Sequence, residues 1–125
     1  MNDDLQKDRW GGKIEDAGLK IQANVKKTDS PKWFDITVEM SATGKRRFEG
    51  EVAFFLHDTF PEEIRYTKAA NGIARIGLIA FEAFTAGAYT GNGISLELDL
   101  QRQEGYPKEF YYKEKMVKRA AKKKK

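Results

Sequence analysis

The chain has 125 residues, one histidine, no cysteine and a formal net charge of +4; that is one domain, long enough to bury about two-thirds of its unfolded surface without staples. Zero cysteine excludes disulfides, thiolate metal sites and thiol redox chemistry, and a single histidine cannot build a multi-histidine zinc site. The charge is uneven: Lys113 to Lys125 holds eight basic residues and one glutamate, +7, leaving 15 basic against 18 acidic groups on the first 112 residues, a near-neutral body with a basic tail and not a uniformly basic nucleic-acid face.

Residues 1–8 read as a loose polar arm. They are acidic where a secretory leader is basic and then apolar, and no apolar run approaches the roughly 20 residues of a membrane span. No membrane insertion and a cytoplasmic setting are therefore expected. Arg9-Trp10-Gly11-Gly12 supplies an aromatic anchor before a flexible turn, a tryptophan that folds the arm onto the body. Leu19, Ile21, Ala23 and Val25 then alternate with Lys20, Gln22, Asn24 and Lys26, the period of two of a strand with one wet face. After the turn Thr28-Asp29-Ser30-Pro31, Trp33-Phe34 opens a second such strand, with Phe34, Ile36, Val38 and Met40 inward, so the pair predicts a hairpin.

Ser41 to Arg47 is a polar connection whose Lys45-Arg46-Arg47 is a solvated loop tip or a phosphate contact. Val52-Ala53-Phe54-Phe55-Leu56 is a short apolar run, too short for a helix and rich in β-formers, which predicts a central strand buried on both faces. It ends abruptly in His57-Asp58-Thr59-Phe60, and Pro61 removes a backbone donor. Ile64, Tyr66 and Lys68 suggest a short strand before the hairpin signal Asn71-Gly72.

Ile73 to Ile79 is apolar apart from Arg75, with Gly77 marking a bend or a close approach of other backbone. Ala80-Phe81-Glu82-Ala83 reads as a loop, and Phe84 to Tyr89 as a strand of small residues. After the turn Gly91-Asn92-Gly93, Ile94, Leu96, Leu98 and Leu100 alternate with Ser95, Glu97, Asp99 and Gln101 in what reads as the clearest one-sided strand. Phe110-Tyr111-Tyr112 is a candidate last anchor before a basic tail over 113–125. Seven or eight short strands with no long amphipathic helix between them predict an all-β antiparallel sandwich of immunoglobulin-like type over residues 9–112.

No phosphate loop, nucleophile elbow or paired-histidine motif is present. His57 and Asp58 are adjacent on an extended segment and so point to opposite sides, which is no ready triad. A binding domain without cofactor or metal is therefore expected in preference to an enzyme.

The string Leu56-His57-Asp58-Thr59-Phe60-Pro61 resembles the His-x-Ser/Thr-Phe loop of YEATS domains, immunoglobulin-like readers of acylated lysine. Trp10-Gly11-Gly12, Trp33-Phe34, Phe81 to Ala88 and Leu96 to Leu100 are similar to the prokaryotic branch of that family. The resemblance covers roughly residues 9–110. It implies a narrow slot between two loops, in which aromatic rings sandwich a flat acyl amide and a backbone amide satisfies its oxygen. The positions it singles out are His57, Thr59, Phe60 and Phe81, with Glu82 at the rim.

Two departures stand out: Ala80 replaces a glycine of the reader pattern, and Glu82 introduces a carboxylate. Structural roles stand beside ligand contact for these residues: His57 capping loop backbone, Thr59 closing a turn, Phe60 packed beneath it. The resemblance implies a modified-lysine peptide or protein partner, with some prokaryotic members placed in bacterial conflict and immunity systems. A surface adaptor without a pocket is the rival reading, and Lys113 to Lys125 adds weak, salt-sensitive contact with nucleic acid or another acidic surface.

Overall fold

The structure, a computed structural model, describes residues 9–44, 48–57, 60–91 and 93–111. Among them are eight strands: β1 (Glu15–Asp16), β2 (Leu19–Lys27), β3 (Phe34–Ala42), β4 (Glu51–Phe55), β5 (Ile64–Lys68), β6 (Ile73–Ala80), β7 (Thr85–Thr90) and β8 (Ser95–Asp99). They form two antiparallel four-stranded sheets, ordered β1-β2-β3-β6 and β5-β4-β7-β8. Because β3 pairs with β6 and β4 with β7, the chain crosses between sheets repeatedly, the interlocked pairing of a Greek-key sandwich of immunoglobulin type. The all-β expectation holds.

Period-two patterning sets the layers. Ile21 pairs with Met40 and Val25 with Ile36 in the β2–β3 hairpin, and all four side chains are buried. Val52, Phe54, Ala86, Ala88, Leu96 and Leu98 come in from the second sheet, and Phe110 closes the core edge-on to Phe34, with ring centroids 5.4 Å apart. Phe110 is therefore an anchor, as expected; Tyr112, Lys45 to Arg47 and the basic tail lie outside the described residues.

Four local expectations change. β4 is central, but only Val52 and Phe54 are fully buried, while Ala53 and Phe55 are half-buried on the outer face. Asn71-Gly72 does make a tight turn, with φ +56° and +81° and reciprocal bonds between Ala70 and Ile73 of 2.8 and 3.1 Å. That hairpin is one bridge long, because β5 and β6 belong to different sheets and the chain turns a corner there. Gly77 is not closely approached on its β-carbon side, since a β-carbon there would meet nothing within 4 Å. Its carbonyl, on an edge strand, instead accepts a 2.6 Å hydrogen bond from Arg65 Nη1 on β5, tying the sheet edges together.

The fourth change concerns β8, which is not one-sided: Leu96, Glu97 and Leu98 are all buried. The Trp10 arm covers the outer face there, and the Trp10 amide donates to Glu97 Oε1 at 2.7 Å. Trp10 thus anchors the segment from Arg9 to Lys13 on the sandwich; the arm over 1–8 lies outside the described residues. A buried carboxylate is tolerable because it accepts such bonds.

Candidate functional site

Two loops meet at one end of the sandwich. The first follows β4, where Leu56 and His57 are buried and the Leu56 amide donates to the Glu63 carbonyl at 2.7 Å, closing the loop at its base. Inside it the Phe60 amide donates to the His57 carbonyl at 3.0 Å, a tight turn that brings Phe60 back over the core. Asp58 and Thr59 lie outside the described residues. Phe60 is half-buried, and its ring meets that of fully buried Phe84 edge-on at 5.1 Å.

The second loop joins β6 to β7 and shares that end, because Phe55 pairs with Gly87 just beyond the start of β7. Its far half is fixed: the Ala83 amide donates to the Phe110 carbonyl at 2.9 Å, and the Phe84 carbonyl accepts from Leu100 at 3.0 Å. Its near half carries an exposed ring. Phe34 pairs with Ala80 and both are buried, so by strand alternation the next rung, Trp33 and Phe81, faces the outer side of the first sheet. These two rings meet edge-on at 5.9 Å and 88°, and they are 45% and 47% exposed.

The expected site residues therefore divide. Phe60 leans inward on Phe84 and Phe81 faces outward beside Trp33, so the two phenylalanines do not pair ring to ring. Ala80 turns its methyl into the core, and Glu82 is half-buried between Phe81 and Ala83. Sequence reading passed over Trp33 as part of this group. The signal was its parity, since it precedes the inward Phe34 and so must point out like Asp35. Phe84, read as the end of the second loop and the start of a strand, is the ring that carries Phe60.

Chemically, this end offers aromatic faces and edges beside the carboxylates of Glu62, Glu63 and Glu82, and the rings suit a flat group that stacks on them. Among the described residues no cluster of three or more His, Asp or Glu side chains could hold a metal ion. No helix among them is long and apolar enough to cross a membrane.

Sheets and loops define an antiparallel β-sandwich domain of immunoglobulin-like type. A family model described as the prokaryotic YEATS domain matches residues 34–101, more than half the chain and both loops, and the chain belongs to that family. No curated protein matches it, and no solved structure does.

Proposed function

We propose that this domain is a non-catalytic recognition module that holds an acylated lysine, or a similar small planar group, at the end of the sandwich formed by the His57–Phe60 and Ala80–Phe84 loops. The observation that supports this best is the half-exposed, edge-on pair of Trp33 and Phe81, two rings kept at a loop end where burial would be the cheaper arrangement. In this reading Phe81 and Trp33 wall the entrance. Phe60, held over Phe84, forms the floor, Glu82 sets the charge at the rim, and His57 and Thr59 are ligand contacts by their place in the motif alone.

The ligand's neutral amide stacks on the rings, and a loop backbone amide donates to its oxygen. The cytoplasm is the setting proposed for the module, and a place in a bacterial conflict or immunity system rests on the family resemblance alone. The working division of the chain is an arm over 1–8, the recognition domain over 9–112 and a basic tail over 113–125.

The test is binding to a library of acyl-lysine peptides by wild type and by the double variant Phe60→Ala, Phe81→Ala. Selective binding lost in a folded double variant supports the reading, and equal binding by both contradicts it. One observation favours a surface adaptor as the alternative. On the outer face of the second sheet, Tyr66 (72% exposed) and Tyr89 flank the small Ala53, with exposed Ile64 beside them. That reading predicts a partner whose capture is blocked by Tyr66→Ala and indifferent to the phenylalanine pair.

A further inference from the structure

One rung of the second sheet, Ile64–Phe55–Gly87–Glu97, crosses its outer face directly below the two loops. Trp10 lies along that rung. Its indole stacks on Phe55 with centroids 5.6 Å apart and planes within 16°. It presses on Gly87 so closely that a β-carbon there would sit 2.3 Å from Trp10 Cδ2. Its amide donates to Glu97 Oε1 at 2.7 Å, and its carbonyl accepts from Ser95 Oγ at 3.0 Å. The Glu97 amide then donates to the Lys13 carbonyl at 2.7 Å. Gly11 and Gly12, at φ +97° and +70°, allow the sharp turn this needs.

The segment from Trp10 to Lys13 is thus a strap from β8 across β7 to β4, and β4 and β7 are the strands that lead into and out of the candidate loops. Phe55 is followed at once by Leu56, whose amide closes the first loop onto Glu63. A strand end whose last ring is clamped from outside opens less readily than one whose ring faces water.

We propose that Trp10 is a positioning residue for the recognition site: its indole, seated over Phe55 and Gly87, holds the end of β4 so that the Leu56–Glu63 closure and the turn carrying Phe60 keep their geometry. Trp10 acts on the loop through Phe55 and touches no ligand. Gly87 is the second half of the device, because its missing side chain is the seat. Only the final consequence, weaker ligand binding, rests on the proposed function; the loop geometry is read without any ligand.

The test is native-state hydrogen exchange on the whole chain, comparing wild type with Trp10→Ala and Gly87→Ala. Trp10→Leu, which keeps apolar cover but loses the flat stack, serves where Trp10→Ala does not fold. The expected result is that the Leu56 and Phe60 amides exchange at least about tenfold faster relative to Ile36 and Val38 in the opposite sheet. A parallel acyl-lysine peptide titration is expected to show weaker binding in the same variants. Equal acceleration at all four amides, or none at Leu56 and Phe60, would make Trp10 a packing element only and overturn the proposal. Wild-type protein that binds no peptide would remove the ligand reading, while the exchange result still decides the role of Trp10.

Discussion

Phe60 leans its ring on Phe84 of the core, so a double-mutant cycle on Phe60 and Phe84 measures how much that contact holds the loop. Phe84 is fully buried and Phe60 half-buried, with ring centroids 5.1 Å apart at 63°. Replacing Phe84 by alanine would cost about 3–5 kcal/mol, a large share of the roughly 6–19 kcal/mol expected for a chain of this length. Leucine is therefore the usable replacement at both positions.

An edge-on pair contributes about 0.5–1.5 kcal/mol beyond its buried area, so the cycle should return a coupling near 1 kcal/mol. With a urea slope of about 1–3 kcal/mol per molar, that is a midpoint difference of about 0.3–1 M. The control cycle on Phe60 and Phe81, whose rings face apart, should be additive within about 0.5 kcal/mol. The reasoning fails if Phe60 and Phe84 prove additive, or if Phe60 couples to Phe81 as strongly as to Phe84.

Other consequences are open to direct measurement. Burial, helped by neighbouring Tyr111, pushes the Tyr106 hydroxyl up to about 12, and this group also donates to the Ala23 carbonyl at 3.1 Å. The unfolded chain then loses this proton near pH 10 while the folded chain keeps it. Its contribution is complete below pH 10 and is lost as pH rises toward about 12, and Tyr106→Phe should flatten urea stability measured across that window. Gly72→Ala forces a side chain into the left-handed region at φ +81°, and should cost about 1 kcal/mol by denaturant titration. Arg65→Ala frees the Gly77 edge carbonyl and should raise self-association in sedimentation velocity with little loss of stability. Deleting residues 113–125 should flatten the salt dependence of any nucleic-acid binding.

Much of the architecture could be read from alternation. Leu19 to Val25 and Phe34 to Met40 announce their inward faces, and their register follows from a short polar turn. What periodicity cannot report is what covers the other side. Glu97 alternates like a solvent-facing residue, yet it is buried because Trp10, more than eighty residues earlier in the chain, lies on it. Asn71-Gly72 specifies its turn correctly, but which sheet each flanking strand joins is settled by pairing with β4 and β3, which no local signal carries.

At the candidate site the loop after Leu56 was legible as a motif and Phe81 as an aromatic. Their orientations were not. A ring's direction depends on the rung it occupies, and the rung was fixed only once Phe34 was set opposite Ala80.

The most direct measurement is a titration of isotope-labelled protein with acylated and unmodified versions of one lysine peptide, followed by amide and indole resonances. The account expects the acylated peptide alone to shift Phe60, Phe81, Glu82 and the Trp33 indole. Shifts confined to Tyr66 and Tyr89, or identical shifts with both peptides, would contradict it.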